Sequence, residues 1–359
     1  MLSVVRLRAS RFRNLSEIEL EPSPTGLTVV QGPNGSGKTS LLEALGYCSI
    51  LRSFRKVASE AVIQAGSDGA ALGCAVVHGG RHVDIAVDIA LARRDQATRN
   101  GRRVESAREL LQVLRITLFT PDDLDIVKGG PSLRRELLDD AVAGVSPRLG
   151  ADRAELERIL RHRNALLRQL GGRMTSEAAT TLDVWDERLA VTGERVVAGR
   201  ERVVAELQPY AEEAFSAIAP SAGKLELRYV RSFDGPLERA IGLARADDLR
   251  RQVTTVGPQR DDLELSGGGL DARTRLSQGR QRATALAIRL ATHRYLTEVT
   301  GTTPVLLLDD AFSELDESTA RALMHELPRG QAFLTTAGPL PPGAAADLVV
   351  QLRGGRLAS

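Results

Sequence analysis

The sequence predicts an α/β fold in which a mixed sheet with flanking helices carries a phosphate-binding loop and an antiparallel β region, with a short helical hairpin inserted. Three observations predict this fold. A strand-like segment leads into the glycine-rich stretch GPNGSGKTS and then into a helix-like segment. A fully apolar strand late in the chain ends in two aspartates. The stretch between these two regions has apolar residues at helical spacing.

Length and composition are those of an ordinary globular protein. The 359 residues allow about two domains, and 42% of them are hydrophobic. The formal net charge of +2 argues against a simple polybasic binder, although local basic patches can still contact nucleic acid. Cys48 and Cys74 lack the paired spacing of a zinc site or a disulfide framework. Because the sequence has no signal-peptide-like segment and no apolar stretch of about 20 residues, we expect a cytoplasmic protein with no membrane partner.

The glycine-rich stretch has the phosphate-loop spacing G-x-x-x-x-G-K-[ST], with Gly32, Gly37, Lys38 and Thr39 at the defining positions. In such a loop, backbone N–H groups surround phosphate oxygens, the lysine reaches the β- and γ-phosphates, and the threonine hydroxyl ligates Mg²⁺. An ordinary glycine turn is the alternative, and the strand before the loop and the helix after it argue against that. The residues predicted to bind a nucleoside triphosphate are Gly32, Pro33, Asn34, Gly35, Ser36, Gly37, Lys38, Thr39 and Ser40.

Strands are predicted on both sides of this loop. Leu2 to Leu7 and Ile18 to Leu20 look like short strands, and the alternation of apolar residues from Val83 to Leu91 predicts another. Asn100-Gly101 is a strong tight-turn signal, so a mainly antiparallel hairpin is expected here.

The tip of that hairpin is basic. Arg94, Arg99, Arg102 and Arg103 suit phosphate contacts on DNA. An edge strand protected by charge explains the same residues equally well. Both interpretations stay open at the level of sequence.

A helical hairpin is predicted in the middle of the chain. Ser146-Pro147 starts a first helix, Gly171-Gly172 ends it, and a second helix follows, bent near Pro209. Each arm has about 20 to 30 residues. The apolar row of the first arm consists of Leu156, Ile159, Leu166 and Leu170, with Arg163 at the missing step.

The first arm also carries exposed-looking positive charge. Arg158 and Arg161 are candidate contacts to a DNA backbone. A solvated helix face with mixed Glu and Arg is the commoner explanation of such a pattern.

A second anion site is predicted where Ser277, Gln278 and Gly279 precede a helix with an apolar stripe. A serine, a glycine and the free N–H groups of a helix start together favour a bound anion.

A candidate metal ligand follows in the chain. The apolar strand Val305 to Leu308 ends in Asp309 and Asp310, and a phosphate-loop enzyme needs an aspartate there to hold Mg²⁺. A buried strand that ends in a solvated acidic turn would look the same in isolation. Three phosphate-directed segments in this order argue against that alternative, and Asp309 is the expected ligand.

Together these motifs resemble the ABC-type ATPase head of SMC-like DNA repair proteins and, more narrowly, the RecF family of bacterial recombination mediators. The segments that carry the resemblance are FRNL at Phe12 to Leu15, GPNGSGKTSLLEAL at Gly32 to Leu45, SFR at Ser53 to Arg55, TPDDLDIVKGGPSLRR at Thr120 to Arg135, GPQRDDL at Gly257 to Leu263, SQGRQR at Ser277 to Arg282 and LLLDDAFSELD at Leu306 to Asp316. The resemblance implies a head formed by residues 1–130 and 256–359, with a helical arm at 131–255.

The resemblance implies an ATP-bound homodimer in which each nucleotide lies between the phosphate loop of one copy and the Ser277–Gly279 signature of the other. Lys38 and Thr39 would hold phosphate and Mg²⁺, with Asp309 as a further metal ligand. Asp310 stands where many ABC-type ATPases carry a catalytic glutamate, and its shorter side chain predicts slow turnover.

Two further roles follow from the resemblance. Ser313 and Asp316 fall in the D-loop, the segment after the metal-binding strand. Thr335-Thr336 falls where transporter ATPases carry a switch histidine, with Thr336 as the expected switch residue, and a threonine can donate a hydrogen bond there but cannot take up a proton.

The function implied is a weak, DNA-stimulated ATPase that acts at junctions of single- and double-stranded DNA and, with RecR and RecO, helps load RecA. The alternatives are an SMC-like or other ABC-type ATPase that acts as a non-hydrolysing clamp, and a transporter ATPase subunit. A transporter subunit should carry glutamate in place of Asp310 and histidine near Thr336, and this sequence has neither. A small-molecule kinase would not need the signature and D-loop segments.

Overall fold

The computed structural model describes residues 2–358, apart from the side chain of residue 147, and separates into two compact units. Unit 1 comprises Met1–Asp123, Ala217–Pro220 and Leu286–Ser359, and unit 2 comprises Leu124–Ser216 and Ser221–Ala285. Within residues 2–358, no helix combines the length and the apolar character that a membrane crossing requires.

Both units combine strands with helices. The strands are β1 (Leu2–Phe12), β2 (Leu15–Leu20), β3 (Gly26–Gln31), β4 (Gly69–His78), β5 (Arg81–Ala90), β6 (Gln96–Arg99), β7 (Arg102–Arg103), β8 (Ile116–Phe119), β9 (Leu225–Val230), β10 (Asp262–Gly267), β11 (Leu270–Asp271), β12 (Val305–Asp309), β13 (Gln331–Thr336), β14 (Leu348–Arg353) and β15 (Arg356–Ala358). The helices are α1 (Lys38–Ile50), α2 (Ala107–Leu111), α3 (Leu124–Lys128), α4 (Pro131–Val145), α5 (Pro147–Leu170), α6 (Ser176–Ile218), α7 (Leu237–Arg251), α8 (Gln278–Thr300) and α9 (Glu317–Glu326).

One sheet of unit 1 is antiparallel, with strand order β2-β1-β4-β5-β6-β7. Its first two strands are longer than the sequence predicts, because alternating burial continues to Phe12, where Arg13 turns the chain with φ 56°. The predicted hairpin is confirmed. Asn100 and Gly101 have φ of 49° and 74°, as the two-residue turn between β6 and β7 requires.

The other sheet of unit 1 has strand order β15-β14-β3-β13-β12-β8, and every pair except β14–β15 is parallel. All five residues of β12 are buried, which explains its continuous apolar run. In register, Asp309 lies opposite Thr335, and Thr335 lies opposite Val30 near the end of β3. The carboxyl ends of these strands therefore meet at one edge, where ligands bind in open parallel sheets.

Unit 2 contains helices α3 to α7 and a three-stranded antiparallel sheet in the order β11-β10-β9. The first predicted arm is confirmed as α5, which Ser146 caps through its side chain and Gly171 ends with φ 56°. The second arm is longer than predicted. Helix α6 has 43 residues with Pro209 inside it, and at 1.5 Å per residue it spans about 65 Å.

Arg163 is itself part of the buried face of α5. Leu156, Ile159, Arg163 and Leu167 are buried at helical spacing, whereas the predicted members Leu166 and Leu170 are only half-buried. The guanidinium of Arg163 is fully buried because it pairs with Asp186 and Asp248, each at 2.7 Å. Two carboxylates from other helices thus compensate a charge inside the core.

The compact units differ from the predicted segments 1–130, 131–255 and 256–359 at both junctions. Residues 124–130 and 256–285 belong to unit 2. The second difference follows from strand pairing, because β10 pairs along its whole length with β9.

Candidate functional site

The predicted phosphate loop connects β3 to α1 at the carboxyl edge of the parallel sheet. Gly35 and Gly37 have φ of 78° and 110°, a backbone conformation that favours glycine. A Cβ atom on Gly32 would lie 2.2 Å from the carbonyl oxygen of Leu352, so only glycine fits there. The glycines of the motif thus have a steric reason that the spacing alone does not reveal.

Two turns from outside the motif hold this loop in place. The amide of Asn14, in the turn between β1 and β2, donates to the carbonyl of Gly35 at 2.8 Å and accepts from the Ser40 hydroxyl at 2.8 Å. From the turn between β14 and β15, the N–H of Gly355 donates to the carbonyl of Ser36 at 3.0 Å. Sequence reasoning missed Asn14 as a loop anchor, and the only signal for it was its place in the FRNL segment.

Lys38 is held by the loop that it follows. Its ammonium donates to the carbonyls of Gly32 and Pro33 at 2.7 and 3.0 Å, and the side chain is almost fully buried. Burial lowers the pKa of Lys38, and the nearby carboxylates of Asp310 and Asp309 oppose that shift. The positive charge is therefore preorganised inside the loop, where a phosphate would meet it.

Thr39 and Asp309 are 270 positions apart in the chain and make direct contact. The Thr39 hydroxyl donates to Oδ1 of Asp309 at 3.0 Å, and the Thr335 hydroxyl donates to the same oxygen at 2.8 Å. Burial raises the pKa of Asp309, and these two hydrogen bonds oppose the shift. A hydroxyl and a carboxylate at the end of a phosphate loop are hard oxygen donors, which fit Mg²⁺ completed by phosphate and water oxygens.

Asp310 adopts a left-handed backbone conformation with φ 50°. Its N–H donates to the Thr335 hydroxyl at 2.9 Å, and its carbonyl accepts from the N–H and hydroxyl of Ser313 at 3.3 and 3.0 Å. A non-glycine residue in this region is costly and persists only where its surroundings hold it. The structure thus ties Asp310, Ser313 and Thr335 together.

Asp316, the predicted D-loop residue, caps the next helix. Its carboxylate caps α9, accepting from the N–H and hydroxyl of Thr319 at 2.9 and 2.7 Å and from the Ser318 hydroxyl at 2.5 Å. These hydrogen bonds hold the pKa of Asp316 well below its usual range.

Thr335 and Thr336 have different surroundings. Thr335 is buried and bonded to Asp309 and Asp310, whereas the Thr336 hydroxyl accepts from the N–H of Gly338 at 3.1 Å. Sequence reasoning placed Thr335-Thr336 at the switch position and chose Thr336. The contacts of Thr335 could not be predicted, because they depend on the pairing of β12 with β13.

The SFR segment is fixed by a buried carboxylate. Glu43 is fully buried and accepts from Arg13 at 2.7 and 3.0 Å and from the Ser53 hydroxyl at 2.5 Å. The Ser53 hydroxyl in turn accepts from the N–H of Arg55 at 3.0 Å. Burial raises the pKa of Asp309, and the exposed guanidinium of Arg55 is the smallest of the contributions that oppose this rise.

The predicted signature lies at the start of α8, in unit 2. Ser277, Gln278 and Gly279 are all exposed, and the carbonyl of Ser277 accepts from the N–H of Gln281 at 2.9 Å. A Cβ atom on Gly279 would meet no atom within 4 Å. A large ligand can therefore approach this helix start.

The candidate DNA-binding arginines differ in exposure and in their hydrogen-bond and ion-pair partners. Arg94, Arg102 and Arg103 are exposed, and within residues 2–358 their side chains form no hydrogen bond or ion pair; Arg99 is half-buried. Arg158 instead binds Glu155 through two contacts of 2.8 and 2.6 Å. Arg161, on the same helix, is exposed.

Comparison with known proteins places these features in a family context. A model of the RecF/RecN/SMC N-terminal domain matches residues 3–336. The recombination mediator protein RecF of the RecFOR pathway, in its RecF-ATP and RecF-ATPrS structures, is 27% identical, with TM-scores of 0.91 and 0.90 over 99% of this chain and 97% of that chain. The Smc head domain of Pyrococcus furiosus is 18% identical with a TM-score of 0.60, covering 99% and 95% of the two chains, and shows the fold alone. The predicted α/β ATPase-head fold is confirmed.

Proposed function

The chain belongs to the RecF/RecN/SMC family, and from this membership and the geometry of its site we propose that it is an ATP-dependent DNA-binding protein of recombinational repair, working in the cytoplasm. The single observation that carries the proposal is the contact of Thr39 with Asp309 beside a buried Lys38. Such an arrangement is built for a nucleoside triphosphate with its metal.

The proposed chemistry is slow hydrolysis of ATP to ADP and phosphate. Lys38 binds the β- and γ-phosphates, Thr39 and Asp309 hold Mg²⁺, and Asp310 orients or deprotonates the attacking water. Mg²⁺, when bound, neutralises charge that develops on the phosphate oxygens. The short Asp310 side chain supports a slow rate, as a timer requires.

We propose that the active form is a homodimer with shared sites. Ser277, Gln278 and Gly279 of one copy bind the γ-phosphate held by the loop of the other, and their exposure supports this role. The D-loop residues Ser313 and Asp316 and the switch residue Thr336 complete the interface around the phosphate. Hydrolysis then releases the dimer because it removes the shared γ-phosphate contact.

The proposed substrate is DNA at junctions of single and double strands, and the proposed partners are RecR directly and RecO and RecA indirectly. The relation to RecF of the RecFOR pathway supports these partners. Arg102 and Arg103, which are exposed and have no hydrogen-bond or ion-pair partner among residues 2–358, support backbone contacts to DNA.

A binding and turnover experiment tests this function. DNA binding is measured on duplex, single-stranded and gapped DNA with ATP, with ADP and without nucleotide, and ATP hydrolysis is measured with and without DNA. We expect binding that requires ATP and slow hydrolysis that DNA stimulates. In Lys38→Ala both should be lost, since the phosphates lose their cation. DNA binding that is the same in all three nucleotide conditions would exclude the switch.

A further inference from the structure

The hydroxyl of Thr335 occupies a junction that the ATPase roles above leave unused. It lies at the end of β13, 1% exposed, donating to Oδ1 of Asp309 at 2.8 Å and accepting from the N–H of Asp310 at 2.9 Å. A hydroxyl has one proton to donate and lone pairs to accept, so it makes both hydrogen bonds at once. One atom thus connects two consecutive acidic residues that have different proposed tasks.

Both ends of this connection need support. On one side, the hydroxyls of Thr39 and Thr335 bind the same oxygen of Asp309, which fixes the carboxylate and leaves Oδ2 free of both. On the other side, Asp310 holds a left-handed backbone conformation with φ 50°. The hydrogen bond to Thr335 satisfies the amide of this residue, and Ser313 satisfies its carbonyl.

We propose that Thr335 is a positioning residue that couples the metal-facing carboxylate of Asp309 to the backbone of Asp310 and hence to the turn at Ser313. This inference rests on the proposed function, because it assigns Asp309 to the metal and Asp310 to the water. A partner that orients a metal ligand from behind sets metal affinity and activity together. Thr335 therefore keeps the two carboxylates in register during the reaction.

A second buried threonine of the same sheet supplies a matched control. Thr117 lies in β8, which pairs with β12, and its hydroxyl is buried without a hydrogen-bond partner within residues 2–358. Thr335→Val and Thr117→Val remove the same atom from the same sheet. Only the first change breaks hydrogen bonds to the site.

The test compares four variants of the full chain: Thr335→Val, Thr335→Ser, Thr335→Ala and Thr117→Val. The first readout is hydrogen exchange of the Asp310 amide in the absence of nucleotide, the second is the Mg²⁺ concentration that half-saturates binding of a fluorescent ATP analogue, and the third is kcat against KM for ATP. We expect Thr335→Val to speed exchange about tenfold, to raise the required Mg²⁺ about tenfold and to lower kcat by about 10- to 100-fold, with KM changing less. Thr335→Ser should restore all three, and Thr117→Val should change none.

Unchanged exchange and unchanged Mg²⁺ dependence in Thr335→Val would overturn the inference. If that variant does not fold, Thr335→Ser and Thr335→Ala decide, because they differ only in the hydroxyl, and equal behaviour of the two would also overturn it. The proposed function is tested separately. A wild-type chain that binds Mg²⁺ and ATP but does not hydrolyse ATP would contradict the proposed ATPase activity. Amide exchange and Mg²⁺ dependence would still show whether Thr335 positions Asp309 and Asp310.

Discussion

At the scale of single residues, burial is the force that shifts charge states around the phosphate loop. It lowers the pKa of Lys38 and raises the pKa of Asp309, so in both cases it disfavours the charged form. A nearby opposite charge stabilises the charged form and so opposes the effect of burial. A phosphate beside Lys38 and a cation beside Asp309 would each favour the charged side chain, so binding of the two is mutually supportive.

His293 makes stability depend on pH. The ring is fully buried in α8, neither nitrogen has a hydrogen-bond partner within residues 2–358, and burial with the charge of Arg294 lowers its pKa from 6.5 to about 4. Below pH 6.5 the unfolded chain takes up a proton that the folded chain does not accept until about pH 4. The free energy of unfolding should therefore fall as pH falls from 6.5 to 4, by about 3 kcal/mol in total.

Urea unfolding followed by circular dichroism at pH 7, 6, 5 and 4 measures this dependence. In His293→Leu the slope between pH 6.5 and 4 should flatten, whereas His325→Gln, which changes a histidine with an 87% exposed side chain, should keep it. Equal slopes in wild type and His293→Leu would show that other groups cause the dependence.

At the scale of elements, buried ion pairs add to the apolar contacts of Leu156 and Ile159 by which α5 packs within unit 2. Arg163 binds Asp186 on α6 and Asp248 on α7, and its guanidinium also donates to the Thr254 hydroxyl at 2.8 Å. A second buried arginine, Arg200 of α6, binds Asp139 of α4 at 2.7 and 2.9 Å. Helices α4, α5, α6 and α7 are thus connected by compensated buried charges.

Removal of one member of the Arg163 network should be costly. Arg163→Met leaves the fully buried Asp248 without its cation and leaves Asp186 with only Arg245, 3.9 Å away, so we expect the free energy of unfolding to fall by about 3–5 kcal/mol. Arg168→Met, an exposed change on the same helix, should stay within about 0.5 kcal/mol of wild type. The single tryptophan, Trp185, lies in α6 and reports unfolding by fluorescence. A loss no larger than that of Arg168→Met would mean that the network is dispensable.

The basic hairpin and the helical arm make different predictions for DNA. Arg102 and Arg103 are exposed and unpaired within the described chain, so Arg102→Ala/Arg103→Ala should remove two phosphate contacts. The slope of log K against log salt on duplex DNA should then decrease by about 1.8. Arg158→Ala should change the slope little, because Glu155 already binds that guanidinium. Fluorescence anisotropy of labelled duplex DNA at about 50 to 200 mM salt measures the slope for both variants. The opposite ranking would move the DNA contact to the arm.

Secondary-structure elements could be predicted where the signal lies within a few neighbouring residues. Contacts between residues far apart in the sequence could not be predicted. The phosphate loop, the Asn100-Gly101 turn and the cap at Ser146 are each recognisable from a few consecutive residues. By contrast, the part played by Thr335 depends on the register of β12 against β13. The buried state of Arg163 depends on carboxylates 23 and 85 positions away. Single-sequence patterns carry no information about such pairings.

At the scale of the whole molecule, the residues proposed to act on one nucleotide belong to different units of the chain. The phosphate loop, Asp309 and Asp310 lie in unit 1, whereas Ser277 and Gly279 lie in unit 2 and are exposed. In the proposed dimer, each triphosphate joins unit 1 of one copy to unit 2 of the other. Dimerisation and ATP binding are then coupled. Because ATP has a higher affinity for the dimer than for the single chain, it shifts the population toward the dimer.

The mass of the particle in solution, measured by sedimentation with and without a nonhydrolysable ATP analogue and Mg²⁺, tests this claim most directly. We predict that the analogue converts single chains of 38.7 kDa into particles of twice that mass. Ser277→Arg should bind the analogue as tightly as wild type but stay at the single-chain mass, because a large side chain fills the helix start that the γ-phosphate of the partner must reach. Single chains at every protein concentration with the analogue bound, or a Ser277→Arg variant that dimerises normally, would contradict the account.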